Sequence, residues 1–286
     1  MTTGNADQKV FWEDCATLWV DQQAPLDALM SPVLDGVLER ADLKAGHKVL
    51  DIGCGTGTST LRAASVVTPD GHVLGADIAA PMIASARSRA HKSPAVQFEI
   101  LDVAEHAFPD GGFDRVISRF GVMFFADPVA AFVNIRKAMA PGALLSMACW
   151  GQLDQNPWFQ MPMYAAKERL GAPPALDPNA PGPFAFRDTD RVLGILRNAG
   201  FEAPQVEVAS LELTPPGDLD TVAHQAAVLG PARRAIDHFG ASADAIEDIE
   251  RRVRERFARF ETANGVRVPA EINFFTARAP HTRPSA

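Results

Sequence analysis

VLDIGCGTGTST, residues 49 to 60, decides how the rest of the chain is read. Val49, Leu50 and Ile52 make a short apolar run of the kind buried in a parallel sheet. Three glycines follow at alternate positions, Gly53, Gly55 and Gly57, and small hydroxylated residues lead on into Leu61 and Arg62. The pattern is strand, glycine turn, helix. Glycine at such a turn supplies φ > 0 and lets the main chain approach a ligand closely. The spacing argues against two common ligands. A dinucleotide turn is G-x-G-x-x-G with a pyrophosphate at the helix N-terminus, whereas this one is G-x-G-x-G. A P-loop ends in Gly-Lys-Ser/Thr, and this turn has no lysine. Phosphate is disfavoured on both counts.

Outward from the turn, strands and helices alternate. A helix is expected over about 58–67, then the strand HVLGAD ending at Asp77, the helix APMIASARSRAHK, the strand AVQFEILD ending at Asp102, and the strand FDRVISRFG. DPVAAFVNIRKAM is a helix that stops before Ala-Pro-Gly, and ALLSMACW is a fifth strand. Such alternation builds βαβ units, hence an α/β fold with a doubly wound parallel sheet. Ahead of it, residues 11–44 carry apolar residues three and four apart and read as helices, with Ser31 as a cap and Pro32 at a first helical position. After Trp150 the chain turns rich in Pro and Gly, with one short helix at about 163–170. Its aromatic residues make it an ordered excursion rather than a linker. DTDRVLGILRNAG is a helix capped by Asp188 or Thr189 and stopped by Gly200; PQVEVASLEL is a strand, 218–262 is helical, and VRVPAEINFFTARAP is a final strand. The tail HTRPSA is expected to fray.

Composition narrows the function. The 286 residues are 47% hydrophobic and 22% charged, enough for a packed core, and the net charge is −8. An acidic chain without a basic cluster is a poor nucleic-acid binder. The one basic run, RRVRERFARF from Arg251, is interleaved with glutamate at helical spacing, as on a solvated face. Cys15, Cys54 and Cys149 are too scattered for a disulfide framework or a zinc site, so no metal is expected and buried free thiols are the default. No leader segment or run of about 18 apolar residues is present, which points to a cytoplasmic protein away from membranes.

In an open parallel sheet, ligands bind beyond the carboxyl ends of the strands. That rule selects the glycine turn, Asp77, Asp102, and Ser118-Arg119-Phe120. Asp77, about 20 residues past the glycines, suits two ribose hydroxyls, or it opens the following helix by accepting free N–H groups. Asp102 could accept from an exocyclic amine such as adenine N6, with the Val103 N–H on a ring nitrogen; a turn role is the alternative. Asp51, inside the strand end, is expected to orient the glycine loop by accepting backbone N–H bonds.

VLDIGCGTGTST, with GADIAAPMIASAR, FEILDVAEHAFPDGGFDRVISRFGVMFFADP and RKAMAPGALLSMACW, resembles the class I S-adenosylmethionine-dependent methyltransferases, above all the small-molecule branch of ubiquinone/menaquinone type. The likeness covers roughly residues 44–150; each motif alone would be weak, and their ordered set is specific. It implies a Rossmann-like seven-stranded sheet with the last strand antiparallel. It implies Gly53 and Gly55 at the methionine part of the cofactor, Asp77 with Ile78 at the ribose, and Asp102 with Val103 at the adenine. Ser118 and Arg119 stand where such enzymes contact the methionyl end or substrate. WVDQQAPLD resembles a segment in which Trp19 and Gln23 close over the cofactor; a core tryptophan on an amphipathic helix is the ordinary alternative.

On this reading, residues 1–286 form a single domain: a helical lid (1–44), a cofactor core (45–150), an insertion over the substrate side (151–187), and a C-terminal half (188–280) with a helical insertion (218–262). The substrate side is expected from the lid, from Arg119, Phe120, Met123 and Phe124, and from Trp158, Phe159, Met161 and Tyr164. Aromatics and Met outweigh charge there, favouring a small, partly apolar methyl acceptor. No catalytic base is assigned; His106, His224 and His238 qualify by residue type only. A nicotinamide-dependent oxidoreductase on a similar core, and a cofactor binder without turnover, are the competing readings. SRFG stands where base-modifying enzymes carry an Asn-Pro-Pro-Tyr-like motif, against nucleic-acid methylation.

Overall fold

The computed structural model describes residues 5–90, 93–175, 177–228 and 230–281. Three helices open it, α1 (Ala6–Asp21), α2 (Gln23–Leu29) and α3 (Ser31–Ala41). The alternating part runs β1 (Lys48–Ile52), α4 (Thr58–Val67), β2 (His72–Asp77), α5 (Ala80–Arg89), β3 (Val96–Ile100), β4 (Phe113–Arg119), α6 (Pro128–Ala138) and β5 (Met139–Trp150). Then come α7 (Pro157–Leu170), α8 (Thr189–Asn198), β6 (Glu202–Leu213), α9 (Leu219–Val228), α10 (Pro231–Phe239), α11 (Ala243–Phe257), a hairpin of β7 (Glu261–Thr262) and β8 (Gly265–Val266), and β9 (Val268–Arg278).

The seven-stranded sheet has the order β3-β2-β1-β4-β5-β9-β6, so it is Rossmann-like and doubly wound. β1 to β5 are mutually parallel, and β9 runs antiparallel between β5 and β6, with Trp150 opposite Ile272 and Leu213 opposite Val268. The chain moves outward from β1 to β3, then returns to the other side of β1 at β4. Right-handed crossovers place helices on opposite faces before and after such a return. Accordingly α3 and α4 are joined by the Asp35–Arg62 ion pair at 2.7 Å, while α6 packs on α8. Val49, Leu50 and Ile52 are buried, as the apolar run requires, in the same core as Ala63, Ala64 and Val67 of α4.

Several boundaries differ from expectation for physical reasons. α7 starts at Pro157, not near residue 163. Pro157 presets the first helical φ, and burial of Trp158, Phe159 and Met161 outweighs the roughly 3 kcal/mol cost of Pro162 inside the helix. Ser31 is the first residue of α3 rather than its cap, which is Met30. Of the two candidate caps for α8, Asp188 accepts from the Arg191 N–H, an arrangement worth about 1 kcal/mol. β3 stops at Ile100, two residues before Asp102, and β5 begins at Met139, ahead of the Ala-Pro-Gly expected to precede it. Cys54 and Cys149 are buried free thiols, but Cys15 is only partly buried. His91 and Lys92 of the expected second helix, and residues 282–286 of the tail, lie outside the described residues. No described helix is long and apolar enough to cross a membrane.

Candidate functional site

The strand order reverses between β1 and β4, and the crevice beyond their carboxyl ends is where such sheets bind ligands. Gly53, Gly55 and Gly57 have φ of 66°, 53° and 89°. A Cβ on Gly53 would lie 2.6 Å from the Gly121 Cα, and one on Gly57 would lie 2.6 Å from the Phe98 ring. Gly55 differs: its Cβ would meet nothing within 4 Å. Packing demands two of the glycines, and the third faces open space.

Asp77 Oδ2 accepts from the Gly55 N–H and Oδ1 from the Ala79 N–H, both at 2.9 Å. It ties the turn to Ala79, the residue just before α5, and each carboxylate oxygen keeps further acceptor capacity. Burial raises its pKa, opposed by these N–H bonds. Asp51 does not orient the turn through backbone N–H groups, as expected from sequence. Its Oδ2 accepts instead from Ser59 Oγ and Thr60 Oγ1, both at 2.6 Å, because the first turn of α4 sets two hydroxyls over the end of β1. Burial pushes Asp51 up to about 6, against the pull of the two hydroxyls and of Arg119.

Ser118 is fully buried; its Oγ donates to the Ile52 carbonyl at 2.9 Å and accepts from the Gly121 N–H at 3.2 Å, tying the ends of β1 and β4. Arg119 follows it. Burial lowers its pKa, and Asp27, with Oδ1 3.4 Å from Nη2, works the other way. Its Nη1 has no partner. Arg119 Nη1 and Asp51 Oδ1 are the two buried side-chain polar atoms without a hydrogen bond among the described residues. Phe120 sits at φ 69° and stacks on Trp150 at 4.4 Å and 2°. Phe159 meets Trp150 edge-on at 4.8 Å and Phe184 at 5.4 Å, which completes an aromatic wall beside the rim.

The N-terminal helices pack over the rim. Trp19 contacts Trp12 and the cluster of Ala16, Ala79 and Met82, just past Asp77 and Ile78. Gln23 donates to Asp27, which also accepts from Thr58 Oγ1 at the start of α4. Arg89 Nη2 lies 3.5 Å from Asp27, and Nη1 donates to the Thr56 carbonyl at 2.6 Å. The Asp102 carboxylate stands beyond β3, with Val103 buried beside it and its carbonyl taking a bond from Asn134. Sequence reasoning does not single out Asp27, Arg89, Gly121 or Asn5. Only Gly121 carries a signal, a second glycine directly after a strand end.

The acceptor-side residues are not all brought together. Met123 is buried, its carbonyl accepting from the Gly182 N–H. Trp158 points away from the rim to Phe257 of α11, and Tyr164 is 45% exposed in a separate hollow with Arg256 and Arg259. Both are corrections to the expected wall. One α7 turn cannot aim Phe159 at Trp150 and Trp158 beside it as well. His106, His224 and His238 are exposed; His106 lies edge-on to Phe108, and His224 pairs with Glu250. In the basic run, Arg251, Arg252, Arg254 and Arg256 each pair with a carboxylate, so α11 presents a neutralised, solvated face.

Residues 43–200, over half of the chain, match a family model described as a methyltransferase domain. Phosphoethanolamine N-methyltransferase 1 of wheat is 38% identical over 115 residues, 39% of this chain and 23% of that protein. Demethylmenaquinone methyltransferase of Thermus thermophilus is 39% identical over 103 residues, 36% of this chain and 46% of that protein. The chain thus spans less than half the length of these curated relatives. Among solved structures, Haemonchus contortus phosphoethanolamine N-methyltransferase 2, in complex with phosphomonomethylethanolamine and S-adenosylhomocysteine, superposes with a TM-score of 0.52 at 22% identity, over 87% of this chain and 53% of that one. That likeness is one of fold.

Proposed function

The chain belongs to the methyltransferase-domain family, and on that premise we propose that it binds S-adenosylmethionine at the rim and methylates a small, partly apolar acceptor. The observation that carries this reading is the pair of orphaned polar atoms, Asp51 Oδ1 and Arg119 Nη1, one acidic and one basic, at the ends of the adjacent strands β1 and β4. A zwitterionic amino-acid end supplies the ammonium and carboxylate such a pair lacks. The donor set fits the rest of the cofactor: Asp77 with Ile78 for ribose hydroxyls, Asp102 with Val103 for adenine, and Trp19 and Gln23 in the helices above. Ser118 holds the rim without a free polar atom of its own.

When bound, S-adenosylmethionine supplies a methyl group already activated on a sulfonium. The protein's task is then to orient and to exclude water, and orientation alone can lower a barrier by roughly 7–11 kcal/mol. Arg119 and the turn seat the amino-acid end, the N-terminal helices cover it, and Phe120 with Trp150, Phe159 and Phe184 presents an apolar wall to the acceptor. Among the described residues the wall carries no cationic cluster, which favours an apolar acceptor over a phosphorylated one. His106, in the loop after β3, is exposed and lies edge-on to Phe108, and the reading assigns no general base; a thiol, amine or acidic phenol would react without one. The acidic charge and the neutralised α11 support a small molecule over a nucleic acid.

Calorimetric titration with S-adenosylhomocysteine and with NAD(H), followed by turnover across thiols, amines and phenols, tests this. Micromolar or tighter S-adenosylhomocysteine binding, with methylated product, is expected. NAD(H) binding alone would make the protein an oxidoreductase. Tight S-adenosylhomocysteine binding without product from any acceptor class would make it a binder.

A further inference from the structure

A residue from the start of the chain bridges the ends of β3 and β4. Asn5, just ahead of α1, is 8% exposed. Its Nδ2 donates to Asp102 Oδ1 at 3.0 Å, and its Oδ1 accepts from the Ala126 N–H at 2.9 Å. Both ends of the amide are engaged, by loops that follow different strands. Its own carbonyl accepts from the Lys9 N–H at 2.9 Å and so begins α1. From there α1 carries Trp12 edge-on to Phe124 at 4.9 Å and Ala16 onto Ala79 and Met82. The bridge is therefore anchored at both sides of the space beyond β2, β3 and β4.

The bonds to Asp102 are uneven. Oδ1 takes the Asn5 amide and also the Ala104 N–H at 2.9 Å. Two donors converging on one oxygen fix the plane of the carboxylate and leave Oδ2 outside both bonds. A carboxylate oxygen held in place accepts an amine N–H well and repels a carbonyl oxygen, since it has no proton to donate.

We propose that Asn5 is a positioning residue for cofactor recognition: by holding Oδ1 of Asp102 it aims Oδ2 at the exocyclic amine of the adenine, and so selects a 6-amino over a 6-oxo purine. This rests on the reading of the rim as an S-adenosylmethionine site and extends it to a residue 97 positions away in sequence. Without the Asn5 donor the Asp102 carboxylate turns about its own side-chain bond, and the preference for the amine weakens. Arginine or lysine at position 5 would hold the carboxylate through charge; the neutral amide holds it while leaving its negative charge for the ligand.

The test uses the full chain and two ligands, S-adenosylhomocysteine and S-inosylhomocysteine, in which oxygen replaces the exocyclic amine. The wild type should prefer the first by at least tenfold. Asn5→Ala should weaken S-adenosylhomocysteine about tenfold and leave S-inosylhomocysteine within twofold, narrowing the preference. Asn5→Asp keeps the acceptor for Ala126 and replaces the donor to Asp102 by a carboxylate that repels it, so it should narrow the preference at least as far even if Asn5→Ala disturbs α1. Equal weakening of both ligands would make Asn5 a tie for the helix alone and overturn the proposal, as would an unchanged S-adenosylhomocysteine affinity in both variants. A wild type that binds neither ligand would instead sink the cofactor reading itself.

Discussion

Asp27 Oδ1 lies 3.4 Å from Arg119 Nη2, so an acid on α2 is the counter-ion of a base at the end of β4. Their side chains are only 16% and 19% exposed, and Arg89 shares the same carboxylate. Two cations thus converge on one anion directly above the glycine turn. Asp51 adds a second acid near Arg119, and the Nη1 that Arg119 leaves unpartnered suits a ligand that brings a carboxylate of its own.

Asp27→Asn removes the shared anion while keeping the side-chain shape. A largely buried pair broken from one side leaves an uncompensated charge, at a cost of about 3 kcal/mol. Urea unfolding should show a loss of that order, visible as a lower midpoint at unchanged slope. S-adenosylhomocysteine should recover part of it. A loss below about 0.5 kcal/mol would mean that water screens the pair.

Asp51 gives the fold a pH dependence of definite sign. Its pKa rises from 3.8 to about 6 on folding, so the native state holds the proton more tightly than the unfolded chain. The contribution to stability is fully present below pH 3.8 and is lost as pH rises through 6. The difference between the two values corresponds to roughly 3 kcal/mol. Asn cannot titrate, so the stability difference between Asp51→Asn and wild type should move by about that amount between pH 4 and pH 7.5, in favour of the variant at the higher pH. Cofactor affinity should run the opposite way in the wild type. Below pH 6 the protonated carboxyl no longer attracts the ligand ammonium, and titrations at pH 5 and 7.5 should differ by about tenfold. A flat affinity profile would remove Asp51 from the amino-acid end.

The features legible in the sequence are local. The glycine turn, the strand ends at Asp77 and Arg119, and the alternation of β1 to β5 all follow from periods of two and 3.6 and from glycine spacing. The features that are not legible depend on distant contacts. Asp27 looks like any acid on an amphipathic helix until Arg89 and Arg119 arrive from 62 and 92 residues away. The aromatic content of the insertion suggests a wall but not its direction. The phase of α7 settles that, sending Trp158 to Phe257 and Tyr164 to the surface. Asp51 lies in the strand that its apolar neighbours predict, yet its partners are not backbone N–H groups, because two hydroxyls eight and nine residues on fold back over it.

Asp77 holds the turn through Gly55 and α5 through Ala79, so its role in binding must be separated from its role in folding. Asp77→Ala removes both. Bonds to a charged acceptor contribute about 1.5–3 kcal/mol each, so S-adenosylhomocysteine affinity should fall about a hundredfold. Asp77→Asn keeps one acceptor oxygen for the turn but offers an amide in place of the second. The other backbone N–H then faces an amide NH2, so the thermal midpoint should lie between those of wild type and Asp77→Ala, while affinity falls at least tenfold. Undiminished affinity in Asp77→Ala would end the ribose assignment.

Phe120 combines an uncommon backbone with a committed side chain. At φ 69° a residue with a Cβ carries strain of about 1–2 kcal/mol, and the ring is stacked flat on Trp150. Strain of this kind persists where surrounding structure enforces it, and here Gly121 is wedged against the Ile52 carbonyl one residue on. Two substitutions separate the effects. Phe120→Ala loses the stack and keeps the strain; Phe120→Gly loses the stack and relieves it. The glycine variant should therefore be the more stable of the two by about 1 kcal/mol in urea unfolding, the reverse of the usual order of alanine over glycine. Both remove the face that the wall offers to an acceptor. In steady-state assays each should raise acceptor KM about tenfold or more, with S-adenosylhomocysteine affinity within about threefold of wild type. The reverse pattern, cofactor affinity lost and acceptor KM unchanged, would move Phe120 from the acceptor wall to the cofactor seat.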